Sequence, residues 1–104
     1  MKEIQKLIKR ERIRLGKYYG KSKSSLVLPY TVKLMEELGE LCELVLASKK
    51  LQRNVKLKKL KKSNLQDEFA DVFISVMILA DTMGIDIEDA FNKKLKIVRN
   101  RHKK

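Results

Sequence analysis

The stretch that decides the fold is SNLQDEFADVFISVMILADTMGIDIEDAFN, residues 63–92. At about 100° per residue, Leu65, Phe69, Val72, Phe73, Val76, Leu79, Ala80 and Met83 fall on one apolar face. Ala70, Ile74, Met77 and Ile78 carry that surface most of the way round, the pattern of a buried helix. One narrow polar stripe interrupts it: Glu68, Asp71 and Ser75, with Thr82 beyond. Ser63-Asn-Leu-Gln66 reads as a capping box that starts this helix, because the serine hydroxyl and the glutamine side chain can satisfy each other's open backbone amides. Gly84 is a natural residue just past its end. Asp86 is placed to cap a following helix, with Glu88 and Asp89 favourable in its first turn.

Working outward, residues 31–48 form another helix, with Leu34, Leu38, Leu41, Cys42 and Val45 as its core face. Glu36, Glu37, Glu40 and Glu43 take the other side, and Glu37 lies at the edge of the apolar surface, between Leu41 and Leu44. Gly39 within this helix costs about 1 kcal/mol relative to alanine, which predicts close approach of another element or of a ligand at that turn. Ahead of it, Lys2–Tyr18 form a first helix with Ile4, Leu7, Ile8, Glu11 and Leu15 along one side. Gly16 and Gly20 weaken its end, and GKSKSSLVLP reads as a loop in which Pro29 marks the approach to the next helix. The Lys-rich run at 49–62 reads as a solvated connection. No strand alternation or internal repeat is present, so the expected fold class is all-α.

Composition narrows the function. The chain has 104 residues and a formal charge of +12; this length is expected to form a single domain, 1–104, with a modest core that oligomerisation would extend. Charge distribution is more informative than its total. All 25 Lys and Arg fall in residues 2–33, 49–62 and 93–104. Between these blocks lie all but two of the thirteen acids, Glu3 and Glu11 being the exceptions, where no local cation is expected to pair with them. A protein that binds only nucleic-acid backbone has no need of such acidic clusters; a protein that binds metal and phosphate together uses both kinds of block. No apolar run reaches the length of a membrane span, and the N-terminus lacks the apolar core of a signal peptide. The single cysteine, Cys42, cannot form an internal disulfide. A reducing cytoplasm is the expected location.

Two carboxylates in a mostly apolar helix need a partner. If the helices of 31–48 and 63–83 pack antiparallel, Glu37, Glu40, Glu68 and Asp71 converge as an all-oxygen set. Hard oxygen ligands without clustered Cys or His favour Mg²⁺, with Mn²⁺ as the alternative. His102, in the basic tail, fits neither a ligand nor a base. Met35, Met77 and Met83 read as core filler, and Tyr18, Tyr19 and Tyr30 as candidates for stacking on a base.

The sequence EELGE at 36–40 followed by EFAD at 68–71 resembles the EExxE…ExxD signature of MazG-like nucleotide pyrophosphohydrolases. VFISVMILADTMGIDIEDAFNKKL, from Val72 to Leu95, resembles the passage between that family's third and fourth helices. The resemblance spans residues 31–101. It implies a four-helix MazG-like bundle completed as a homodimer or homotetramer, and hydrolysis of a nucleoside triphosphate to the monophosphate and pyrophosphate. It further implies that Glu37, Glu40, Glu68 and Asp71 bind Mg²⁺ and that Glu36 and Glu37 serve catalysis, with Glu36 assisting the metal site or the attacking water. Of the family's KxxKNxxR-like phosphate-binding run, Lys94 and Arg101 match, whereas Ile97 and Val98 replace the expected Lys and Asn. Two other readings are a phosphoribosyl-ATP pyrophosphatase, which shares the fold and metal logic, and a basic helical nucleic-acid-binding or regulatory module without enzymatic activity. The second explains the charge but leaves the acidic stripes without a role. An inactive homologue that kept the fold is a third.

Overall fold

The computed structural model describes residues 1–50 and 62–102, which form four helices and no strand. These are α1 (Lys2–Tyr19), α2 (Lys23–Lys50), α3 (Lys62–Thr82) and α4 (Ile87–Arg101). The fold class is all-α, as expected. No helix among the described residues is long and apolar enough to cross a membrane.

The ends of α1 and α3 follow one rule. Gly20 and Gly84 adopt left-handed φ values of 64° and 73°. At α1, the Gly20 and Lys21 amides donate to the carbonyls of Lys17 and Gly16. At α3, the Gly84 and Ile85 amides donate to Asp81 and Ala80 at 3.0 and 2.9 Å. This paired closure satisfies carbonyls that a helix end otherwise leaves open, and glycine enters the left-handed region without steric cost. Asp86 caps α4 as expected, its Oδ1 accepting from the Asp89 amide at 3.1 Å. Ser63 falls inside α3, and the test of its capping box with Gln66 lies outside the described residues, as does most of the 49–62 connection.

Helix α2 departs from expectation. It begins at Lys23, so of the predicted loop at 20–29 only residues 20–22 are non-helical, and Pro29 sits within the helix. Proline at this position removes the bond to the Ser25 carbonyl and crowds the preceding turn. Local signals are overridden by burial and by polar contacts at the start. Leu26 is buried, and the Ser22 hydroxyl lies 3.3 and 3.2 Å from those of Ser24 and Ser25. The Ser25 hydroxyl in turn donates to the Ser22 carbonyl.

The chain divides into two compact units. The first comprises residues 1–27 and 77–104 and holds most of the buried apolar side chains: Ile8, Leu26, Met77, Ile78 and Ala80. Two polar contacts tie its parts together. The Gln5 side-chain oxygen accepts from the Glu88 amide at 2.9 Å, fixing the start of α4 to α1. Arg12 forms an ion pair with Asp81, with Arg12 11% and Asp81 29% exposed. Thr82 is buried and needs no outside partner, because its hydroxyl donates to the Ile78 carbonyl at 2.7 Å.

The second unit comprises residues 28–76, and Leu41 is its one buried apolar side chain among the described residues. Here the expectation of a helix buried on nearly all sides is corrected. On the part of α3 that lies in this unit, the least exposed stripe is Leu65, Glu68, Val72 and Ser75, the side that carries Glu68 and Ser75. Phe69, Phe73, Ile74 and Val76 are exposed, Phe69 by 58%. On α2, the matching stripe is Leu34, Glu37, Leu41 and Leu44, whereas Leu38, Cys42 and Val45 are exposed. Met35 and Met83 are exposed rather than core, and Met77 is the most buried side chain described. The physical reason is that a helix apolar over most of its circumference has more than one face that can be buried. Periodicity alone does not say which face meets the chain's own partner helix.

Candidate metal centre

Each of the two inward stripes carries one glutamate at a position where an apolar residue would otherwise pack. Glu37 follows Leu34 by three residues and precedes Leu41 by four; Glu68 stands in the same relation to Leu65 and Val72. This spacing keeps all of them on one side of a helix. Glu37 is 7% exposed, although carboxylates are almost never buried to that degree without a partner. Glu40 lies one turn further along α2.

Glu37, Glu40 and Glu68 each offer a carboxylate oxygen, and these oxygens lie within 4.8 Å of one another. Three like charges so close repel strongly unless a cation or protons compensate them. The Glu68 carboxyl is accordingly raised from its ordinary pKa, first by burial and then by Glu40, Glu37, Asp71 and Asp67. One Glu37 oxygen meets Lys33 at 2.9 Å. The second Glu37 oxygen and one Glu68 oxygen are buried with no hydrogen-bond partner among the described residues. Leaving a buried charged acceptor unsatisfied costs at least about 1–3 kcal/mol. A bound divalent cation removes both the repulsion and the missing contacts, and an all-oxygen donor set suits a hard ion. The residues present therefore fit a metal of the Mg²⁺ type.

The remaining site residues fall elsewhere. Asp71 is exposed on α3, near enough to raise the Glu68 pKa but outside the group of three. Glu36 and Glu43 are exposed on α2. Lys94 and Arg101 are exposed on α4, in the first unit. Tyr18 and Tyr19, exposed at the end of α1, meet edge to face with ring centroids 5.1 Å apart, and Tyr30 is on α2. His102 ends α4.

Two expectations need correction. Two acids do find local cations, Glu37 pairing with Lys33 and Asp89 with Lys93 at 3.0 Å, and Asp81 pairs with the distant Arg12. Lys33 precedes Glu37 by four residues, a spacing visible in the sequence; the Arg12–Asp81 pair, 69 residues apart, had no local signal. At Gly39, an added Cβ meets nothing within 4 Å, so none of the chain's described residues approaches closely there.

Comparison with known proteins places the chain in a family. Residues 27–104 match the family described as the MazG nucleotide pyrophosphohydrolase domain, starting slightly earlier than the resemblance read from the motifs. No curated protein and no solved structure matches the chain.

Proposed function

The chain belongs to the MazG nucleotide pyrophosphohydrolase family, and from that premise we propose that it is a Mg²⁺-dependent enzyme. It would hydrolyse a nucleoside or deoxynucleoside triphosphate to the monophosphate and pyrophosphate. The observation that carries this reading is the pair of buried, unpartnered carboxylate oxygens of Glu37 and Glu68 within reach of Glu40. Glu37, Glu40 and Glu68 would hold the ion, with Asp71 joining from the next turn of α3. Mn²⁺ would occupy the same ligands. When bound, the ion neutralises polyphosphate charge and lowers the pKa of a coordinated water.

The chain's own groups supply the rest. Glu36, exposed beside Glu37, accepts a proton from the attacking water, and Glu37 supports the same step from the metal side. The water oxygen bonds to phosphorus, the bond linking the α and β phosphates breaks, and pyrophosphate leaves. Lys94 and Arg101, on α4, would bind phosphate oxygens, as the resemblance to the family's phosphate-binding run implies. We place the enzyme in the cytoplasm, acting on the nucleotide pool.

We further propose that the working form is a homodimer or homotetramer. The second unit exposes two apolar stripes that its own small core does not use. On α2, Leu28, Val32, Met35, Gly39, Cys42 and Leu46 follow a spacing of alternating fours and threes, and all are exposed. That spacing suits the seam of a helix-to-helix contact. Gly39 lies in its middle, where a missing side chain lets another backbone approach. On α3, Phe69, Phe73 and Val76 add a second apolar strip.

The test is ³¹P NMR of a panel of NTPs, dNTPs and phosphoribosyl-ATP incubated with the protein and Mg²⁺. Pyrophosphate and a nucleoside monophosphate from at least one triphosphate support the proposal. Cleavage of phosphoribosyl-ATP alone would select the related histidine-pathway activity. No cleavage of any of them by folded protein would refute it.

A further inference from the structure

Residues 1–26 precede the family match and, together with residues 77–87 inside it, line a feature separate from the glutamates. Within the first unit, α1, the start of α2 and the α3–α4 corner line a cavity of about 460 Å³. Small-molecule sites fall at roughly 300–1,000 Å³. Part of the lining is apolar and buried: Ile8, Met77 and Ala80. The other part is cationic. Lys2, Lys6 and Lys9 follow one another along one face of α1, and Lys23 enters from the first turn of α2.

The carboxylates of this cavity are already engaged. Asp81 is held by Arg12, and Asp86 accepts from the Asp89 amide. Lys2, Lys9 and Lys23 have no ion pair among the described residues, and Lys6 reaches only an exposed Glu3, at 3.9 Å. With Lys2, Lys6, Lys9, Arg12 and Lys23 set against Asp81 and Asp86, the net charge of the lining is positive, and a concave, partly apolar wall concentrates such a field. Lysine ammonium groups bind phosphate as point charges. From Lys2 to Lys9 the helix rises about 10 Å, at 1.5 Å per residue, so the row suits several linked charges better than a single one. The apolar wall needs a ligand with an apolar body.

We propose that this cavity binds an organic polyphosphate, its phosphates along Lys2, Lys6 and Lys9 and its apolar body against Ile8, Met77 and Ala80. It is a binding site distinct from the carboxylate group, with its lysines supplied by a segment outside the family match and most of its apolar wall by α3 within it.

The test is methyl NMR of the full chain labelled at Ile, Met and Ala, titrated in EDTA with ADP, adenosine and pyrophosphate in separate arms. The expected result is saturable shifts at Ile8, Met77 and Ala80 with ADP, and much weaker effects with either fragment. In Lys6→Glu/Lys9→Glu, where both changes are at exposed positions, ADP affinity falls at least tenfold. The shifts persist in Glu68→Gln, which separates this site from the proposed metal centre. Unmoved methyls, or equal affinity in the double variant, would overturn the proposal. Pyrophosphate matching ADP would reduce the site to surface screening, and adenosine matching ADP would remove the role of the lysines; either also overturns it. So would shifts that follow protein concentration instead of ligand.

Discussion

Replacing Glu37 with leucine should stabilise the metal-free protein while removing its response to metal. Glu37 is 7% exposed, and one of its oxygens is buried without a partner. Removing an unsatisfied buried acceptor relieves about 1–3 kcal/mol. The lost contact is the pair with Lys33, whose side chain is 60% exposed; such i,i+4 pairs contribute about 0.2–0.5 kcal/mol and are screened by solvent. Leucine and glutamate have similar helix propensity, so the backbone adds little. The net is a stabilisation of about 0.5–3 kcal/mol in EDTA, and each kcal/mol raises Tm by about 4–8 °C for a domain of this size. Wild type should gain about 2.7 kcal/mol when Mg²⁺ is raised to a hundred times its Kd, and the leucine variant should gain none. Urea unfolding with EDTA and with Mg²⁺, at one protein concentration, measures all four values. A leucine variant that is less stable in EDTA, or that still responds to Mg²⁺, would refute the reasoning.

Other consequences follow from the same geometry. Gly39→Ala should weaken self-association at least tenfold in sedimentation velocity; a gain of about 1 kcal/mol in stability, the helix-propensity value, with association unchanged would show that the α2 stripe is a solvated face. The Glu68 pKa is raised in the folded chain, so the fold favours its protonated form. The contribution of Glu68 to metal-free stability should therefore be fully present below the ordinary glutamate pKa and be lost as pH rises through the raised value. Glu68→Gln should lose that part of the slope in pH-dependent urea unfolding; an unchanged slope would contradict the assignment. Arg12→Ala should destabilise the chain by about 1–3 kcal/mol, between the values for surface and buried ion pairs, and the double variant with Asp81→Ala should recover part of the loss in thermal unfolding. Full additivity of the two would mean that the pair is not coupled.

Much of the fold could be read directly from the sequence because local chemistry decides it. Gly84 and Asp86 mark the α3–α4 corner by backbone conformation and by capping, and both act as read. The start of α2 could not be read, because Pro29 and the three serines are local loop signals, whereas the burial of Leu26 is a tertiary fact. The inward faces of α2 and α3 were misassigned for a related reason. Phe69 and Leu38 are more apolar than Glu68 and Glu37, yet the glutamates face inward. A hydrophobic pattern cannot register that Glu37, Glu40 and Glu68 converge, because that grouping is a tertiary fact that apolar periodicity does not encode. The acidic motif identified Glu37, Glu40 and Glu68, which the structure brings together; Asp71, three residues from Glu68, stands outside that group. The cavity beside α1 left no motif, since its apolar lining and lysines come from segments distant in sequence.

The most direct test of the central claim is pyrophosphate release from the best triphosphate substrate, by wild type and by Glu40→Gln, each in Mg²⁺ and in EDTA. Glu40 is an exposed member of the group of three, so its amide variant should keep the fold. The account predicts release by wild type in Mg²⁺ only, and a loss of at least a hundredfold in the variant. Release that persists in EDTA, or a folded Glu40→Gln protein as active as wild type, would contradict a metal-dependent hydrolytic site built from these glutamates.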